Sequence, residues 1–475
     1  MTGLLDRRAV AGVALALVAV LFCGPIADGD FFWHLGTGRW IAQHHALPDR
    51  DPFTYTAMLG VTGDRLPLGA AFTLKSYWLA QLAIYGLWQM GGAPAIVALR
   101  ALVYLSILIF SYAWMRRLGR GWLALAIVIG QGLVLAEYSN ERPQLFTFLL
   151  LPVVLALLDR LLAAPSVRRE RLCLLLPPLL LLWANLHGGF VIGLVAIGLA
   201  MAAHLGEVAL RRTRLAPAKL ALLAVSATVS GLNPMGFAAI RLVMDSGSEV
   251  TGGLVEYLPP HVALQKLDIY LPSYWAFLAV AGLVVVANLR RGRLFPLAVL
   301  TVFVALSLTA LRYTPLPLLA APLLVPYVGD SDFRRKVALC VVFAVLVIAR
   351  PGWKDLLQFR VGSQFPTVAA PRICASPGRL FCHYDWGGYL AYACPGRPVF
   401  IDGRNLSPRA STLYDAIVNG PDGLELLDAF AIGSVAMPLR SEWTKEVYRL
   451  TETLWASPAW VATYSDAQAT LWERR

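Results

Sequence analysis

Charge is scarce in this sequence. Only 15% of its 475 residues are Asp, Glu, Lys or Arg, and 58% are apolar, whereas a soluble domain carries about 25% charged residues. Mean hydropathy is +0.62. That shortage excludes a soluble enzyme, and it excludes a disordered regulator, which needs low hydrophobicity. Internal repeats and long low-complexity linkers are also missing. Cysteine is sparse: Cys23, Cys173 and Cys340 lie in or beside apolar stretches, and Cys374, Cys382 and Cys394 cluster near the C-terminus. Six scattered thiols are no disulfide scaffold. The last three allow one bridge with one thiol left over, and spacing does not reveal the pairing.

What is plentiful is apolar sequence in runs near the length of a membrane span. They fall near 9–26, 93–114, 121–136, 143–159, 172–187, 188–208, 218–232, 271–288, 294–311, 313–328 and 336–350. The expected fold class is therefore an α-helical polytopic membrane protein of about 11 transmembrane helices. The net charge of +12 raises the question of nucleic acid, but the basic residues sit in small clusters between runs. Loops of one parity hold 19 of them: Arg7, Arg8, Arg116, Arg117, Arg120, Arg160, Arg168, Arg169, Arg171, Arg211, Arg212, Arg214, Lys219, Arg290, Arg291, Arg293, Arg334, Arg335 and Lys336. The alternate short loops hold 8: Arg39, Arg50, Arg65, Lys75, Arg142, Arg241, Lys266 and Arg312. Such bias marks the cytoplasmic side. It predicts a multi-pass protein of the cytoplasmic (inner) membrane with a cytoplasmic N-terminus, membrane lipids as neighbours and no nucleic-acid partner.

Two parts are expected: a membrane domain over 1–350 and a small extracytoplasmic α/β domain over 351–475. In the second, strands are predicted at 398–402, 432–437, 460–464 and 468–472, with helices near 409–418, 421–430 and 441–456. The first outward loop, about 27–92, is unusually long. Within it Asp30–His45 and Ser76–Gln89 read as amphipathic helices rich in Trp and Tyr, a composition suited to the membrane interface.

The chemistry-bearing feature is Asp28-Gly29-Asp30, directly after the first apolar run. Paired carboxylates bind a divalent cation, Mg or Mn, or divide acid and base roles. An equally plain alternative has Asp30 capping the helix that begins at Phe31. Acid-x-acid triplets recur at Asp49/Asp51 and Asp330/Asp332, so position decides their meaning. The outer turns carry Glu137, Asn140, Glu141, Arg142, Gln144, Asn185, His187, Asn233, Glu256, His261, Arg312 and Tyr313. As a set they suggest a polar pocket at the outer boundary of the bilayer. Singly, each is better explained as a helix cap or an interfacial anchor than as a catalytic group.

The run DGDFFWHLGTGRWIAQHHALPDRDPFTYT, followed by YWLAQLAIYGLWQMGG, resembles the first loop of bacterial membrane proteins of the GT-C glycosyltransferase superfamily. NERPQLFTFLLLP, WANLHGGFVIG, LNPMG, LRYTPLPLLAAP and DWGGYLAY…RPVFIDGR are similar to later blocks of one subgroup. A departure is Leu74-Lys75-Ser76 before Tyr77, where a polar or acidic residue beside Trp is more usual; it weakens a role for that segment in acceptor binding. The resemblance implies a polyprenyl-phosphate-linked sugar donor and inverting transfer of a hexose or pentose to a lipid, glycan or protein acceptor on the outer leaflet. By the same carry-over Asp30, three residues before Trp33, is the general base. Asp28 assists it or helps hold a cation. Arg142, His187 and Arg312 are candidates for the donor phosphate, His34 for the same charge or for orienting Asp30, and Glu141 and Tyr313 join the substrate-binding set. Two other classes fit a many-helix protein: a transporter or flippase for lipid-linked glycans, and a non-catalytic scaffold whose tail binds glycan through Asp385-Trp386-Gly387-Gly388 and Asp402-Gly403-Arg404. The first needs ionisable groups deep in the membrane, where only Arg100 and His204 qualify.

Overall fold

The computed structural model describes residues 7–61, 66–117, 121–245, 255–267, 272–289, 292–327, 356–440 and 446–475. The expected span at 336–350, the Asp330/Asp332 pair and the boundary between 350 and 351 lie outside them. The chain divides into two compact units: Met1–Pro25 with Ile96–Phe359, and Ile26–Ala95 with Arg360–Arg475. The long first loop, expected as part of the membrane domain, thus groups with the C-terminal segment.

The first unit is helical. Among the described residues it includes Arg7–Val20, Gly121–Glu137, Gln144–Ala163, Leu176–Leu186, Phe190–Ala209, Pro217–Val229, Pro272–Asn288 and Leu294–Thr309. Among the described residues, three helical stretches are long and apolar enough to cross a membrane: Leu68–Arg116, Gln144–Ala163 and Phe190–Ala209. Leu102 and Leu205 stand exposed on such helices, and Leu283 on the shorter apolar helix Pro272–Asn288, a surface that hydrocarbon solvates and water does not. Pro177 and Pro178, expected inside a span, instead open the helix Leu176–Leu186 after a 3-10 turn. There a missing N–H costs nothing. The run 313–328 is not one α-helix. It forms the short helix Pro315–Leu319 and the 3-10 stretch Ala321–Tyr327, because Pro315, Pro317, Pro322 and Pro326 remove one helical donor after another.

The two ionisable residues expected within spans hold helix ends together. Arg100 donates from Nε to the Phe22 carbonyl at 2.9 Å, reaches the Gly24 carbonyl, and pairs with Glu141. Both side chains are buried. His204 Nε2 accepts the Ala216 N–H at 3.1 Å.

In the second unit, Asp30–His44 is a helix with Phe31–Gly38 and Ile41 buried. It has too little exposed surface to be the interfacial helix expected. The second such helix is also different: Trp78–Arg116 is helical with a break at Gly92, whose φ of 57° suits glycine. The C-terminal sheet has four strands, β1 (Arg379–Cys382), β2 (Ile432–Met437), β3 (Trp460–Ser465) and β4 (Thr470–Arg474), in the order β1-β2-β4-β3. β1 and β2 are parallel, and β4 is antiparallel to both its neighbours. Side chains alternate. Leu380, Cys382, Ala436 and Leu471 join a core with Trp386, Leu390 and Phe53; Phe381, Val435, Met437 and Trp472 join another with Ile417, Leu427 and Leu450. Both faces of the sheet are therefore covered.

The segment 398–402, expected as a strand, makes only isolated bridges from Val399 to Thr54 and Leu380. Its Val399 N–H donates to the Phe53 carbonyl at 2.9 Å, and the Tyr55 N–H donates to the Val399 carbonyl at 3.2 Å. This pairing ties the first loop to the C-terminal fold, and β1 takes the sheet position instead.

Cys374 and Cys394 form a disulfide with Cα atoms 5.1 Å apart, and Cys382 is a buried free thiol. Burial pushes the Cys382 pKa up, which suppresses the reactive thiolate. Peptide mapping without reduction is expected to link Cys374 to Cys394, with Cys382 alkylated only after unfolding. His383, half-buried with Nε2 3.0 Å from Tyr448 Oη, has its pKa lowered from 6.5 by burial, against the opposing pull of Asp385. Below that ordinary value the unfolded chain binds a proton that the fold refuses, so stability falls with pH there and is unaffected above it. The Tm of this unit should drop on acidification below pH 6.5, and His383→Gln should flatten the slope. An unchanged slope in His383→Gln contradicts the assignment.

Candidate active site

The Asp28-Gly29-Asp30 turn opens the helix Asp30–His44. Asp28 Oδ1 accepts the Asp30 backbone N–H at 3.0 Å, so Asp28, 8% exposed, satisfies a donor at the helix start. This reverses the capping alternative, which gave that task to Asp30. Asp30 is the first helical residue and half-buried. Its carboxylate lies against the backbone of Gly403: a Cβ there would overlap Asp30 Oδ1 and stand 3.2 Å from Cγ. One turn on, a Cβ at Gly388 would come within 2.9 Å of the Gly29 carbonyl oxygen and 3.4 Å of the Trp33 nitrogen. The glycines of DWGG and DGR thus admit close backbone approach to the acidic turn. His34 is buried, with Nδ1 3.2 Å from Gln81 Nε2 and its ring edge-on to Tyr77.

Behind Asp30 stands a buried ionic triad. Arg404 donates from Nε to Asp402 Oδ1 at 2.9 Å, and from Nη1 and Nη2 to Asp51 Oδ1 and Oδ2 at 2.5 and 3.0 Å. All three side chains are at most 1% exposed. Asp51 Oδ2 also accepts the Thr54 N–H at 2.9 Å. Burial opposes the Arg404 charge, but Asp402 and Asp51 hold its pKa above the usual arginine value. The other half of the Asp49/Asp51 triplet is different: Asp49 is an exposed partner of Lys75 at 2.6 Å. Arg404→Ala leaves two carboxylates buried together and should cost about 3–5 kcal/mol. Thermal unfolding checks this, and Arg404→Lys should restore little because an ammonium cannot bridge both carboxylates bidentately.

The remaining sequence-predicted residues belong to the first unit. Glu256 carboxylate oxygens lie 3.6 Å from Arg142 Nη1 and 3.6 Å from Arg312 Nη1. Glu256 is 40% exposed and the two arginines under 30%. The Arg312 guanidinium stands 4.6 Å over the Tyr257 ring and 5.9 Å from that of Tyr313, within range of cation–π attraction. His187 Nδ1 accepts the Gly189 N–H at 2.9 Å and lies 2.8 Å from Thr147 Oγ1, which itself accepts the Trp183 indole N–H. A nitrogen accepting a backbone N–H holds no proton, so the ring proton is on Nε2. Glu141 is engaged with Arg100. Sequence reasoning missed Thr147, Tyr257 and the Asp51–Arg404–Asp402 triad. Only the triad left a signal, in the two tripeptides that contain its members, Asp49-Arg50-Asp51 and Asp402-Gly403-Arg404.

Among the described residues no group of three or more His, Cys, Asp or Glu could hold a metal ion. At the acidic turn the protein carboxylates on offer are Asp28 and Asp30, and one Asp28 oxygen already accepts an N–H. This donor set does not make an all-protein metal centre, and Asp28 and Asp30 would hold Mg or Mn only together with water and a substrate phosphate.

No protein-family model matches the chain, and no curated protein matches it by sequence. Solved structures do. The archaeal oligosaccharyltransferase AglB from Archaeoglobus fulgidus, in complex with an inhibitory peptide and a dolichol-phosphate, is 11% identical with a TM-score of 0.55, covering 91% of this chain and 69% of that one. The Archaeoglobus fulgidus oligosaccharyltransferase in complex with Zn and sulfate is 13% identical at a TM-score of 0.50, covering 90% and 68%. ArnT from Cupriavidus metallidurans, bound to undecaprenyl phosphate, is 13% identical at a TM-score of 0.48, covering 98% and 97%. With its apolar helices and small C-terminal sheet, the chain shares the fold of the archaeal oligosaccharyltransferase.

Proposed function

We propose that the protein is an inverting glycosyltransferase that moves a hexose or pentose from a polyprenyl-phosphate carrier to a lipid, glycan or protein acceptor. We place it in the cytoplasmic membrane with about 11 spans, its N-terminus cytoplasmic and its C-terminal domain outside. The observation that carries the reading is the division of work at the acidic turn: an Asp28 oxygen accepts the Asp30 N–H at the helix start, and Asp30 is the half-buried carboxylate at the head of a helix buried over Phe31–Gly38. The fold shared with an oligosaccharyltransferase in complex with a dolichol-phosphate supports the carrier class.

In this mechanism an Asp30 oxygen takes the proton of the acceptor hydroxyl. The hydroxyl oxygen bonds to the anomeric carbon as that carbon's bond to the phosphate oxygen breaks. The electron pair leaves with the lipid phosphate, and attack opposite the leaving group inverts the centre. Arg142, Arg312 and His187, all of the first unit, are the proposed ligands of the donor phosphate, guanidinium groups being suited to phosphate oxygens. Nucleotide sugars are cytoplasmic, so transfer on the outer leaflet requires a donor already carried across. The transport reading loses support because Arg100 and His204 are tied into helix-end contacts.

Asp30→Asn should lower the rate of sugar transfer by about 10²–10⁴ at normal membrane levels. Asp28→Asn should stay within a few-fold of wild type, since asparagine caps as well as aspartate. Mass spectrometry of envelope lipids, glycans and proteins reads both. Wild-type transfer in Asp30→Asn overturns the base assignment.

A further inference from the structure

We propose that Gly403 is a positioning residue for Asp30: the DGR turn of the C-terminal domain sets where the carboxylate stands. This rests on the reading of Asp30 as the base. The Gly403 Cα is so close that a Cβ built on it overlaps Asp30 Oδ1 and lies 3.2 Å from Cγ and 3.8 Å from Oδ2. Real Cβ atoms essentially never approach a heavy atom within 3.0 Å. The carboxylate therefore rests against a backbone edge that only glycine provides, and that edge limits its travel on one side.

The edge is itself fixed. Arg404, the next residue, is locked between Asp402 and Asp51, and its backbone N–H donates to Asp402 Oδ1 at 3.1 Å. Asp402 and the Ile401 carbonyl pack against Gly387 of the DWGG turn, with no room there for a side chain. Gly388 in turn abuts the Gly29 carbonyl. The two C-terminal glycine motifs thus form the wall against which the Asp28-Gly29-Asp30 turn is seated, which explains their presence without a glycan bound to them.

The geometry makes a sharp test possible. Gly403 has no left-handed φ, so alanine is compatible with its backbone. The atom in the way is the far end of a flexible side chain. Gly403→Ala should therefore fold and move the Asp30 carboxylate by about 1 Å, a misplacement that costs up to about a hundredfold in rate. The control is Gly86→Ala, on a helix, where a Cβ meets nothing within 4 Å.

Right-side-out membrane vesicles from cells making each full-length variant supply their endogenous lipid-linked sugars as the probe. Fusion with donor-free lipid dilutes the donor and separates KM from kcat. Gly403→Ala is expected to lower kcat about ten- to a hundredfold with KM for the donor and Tm near wild type, while Gly86→Ala behaves as wild type. If Gly403→Ala keeps the wild-type kcat while Asp30→Asn is inactive, the positioning role is wrong and the base assignment stands. If Asp30→Asn keeps its kcat, both fail. If Gly403→Ala loses Tm together with kcat, the residue is a packing glycine and the positioning role is overturned.

Discussion

A guanidinium with no access to water organises the second unit. Arg404 is held between Asp51 and Asp402, and burial of three charges is tolerable only because each finds its counter-charge and further hydrogen bonds. One consequence is that a stretch near residue 51 and a turn near residue 403, far apart in the chain, are fixed to each other. The pairing of Phe53 and Tyr55 with Val399 extends the same seam. Another consequence is that Gly403 stands at a set place, with its backbone against Asp30. The disposition of the candidate base therefore depends on a packing event in the C-terminal fold.

Polar groups in the first unit divide into those that brace helices and those left at half-exposed positions. Arg100 with Glu141 closes the end of the first helix, and His204 closes a turn. Arg142, Glu256 and Arg312 form a solvent-accessible alternation of charge instead, with tyrosine faces beneath Arg312. A guanidinium so placed keeps its charge and can exchange a carboxylate for a phosphate at little desolvation cost.

Much of this was legible in the sequence, and the reasons for the rest are physical. Apolar runs announced the helices because hydrocarbon admits little else. They failed at 313–328, where apolar composition continued but proline spacing removed the backbone donors. Strands β2, β3 and β4 were visible as alternating segments, whereas β1 was hidden because only four residues, Arg379–Cys382, pair. The segment 398–402 read as a strand for its composition, yet its partner is the first loop, and no local pattern encodes a partner more than 300 residues away. The acidic turn was found, but the roles of its two aspartates were not separable: hydrogen-bond direction at a helix start is a property of coordinates. Likewise the glycines of DWGG and DGR signalled turns, and only packing revealed what they approach.

Sugar transfer from a lipid carrier is tested by comparing the envelope lipids, glycans and proteins of wild-type and deletion cells by mass spectrometry. The deletion is expected to lose a hexose- or pentose-sized increment from one class of acceptor and to accumulate the unmodified acceptor, with the increment restored by the full-length gene. Identical masses in both strains, with every lipid-linked sugar and acceptor at wild-type levels, contradict it.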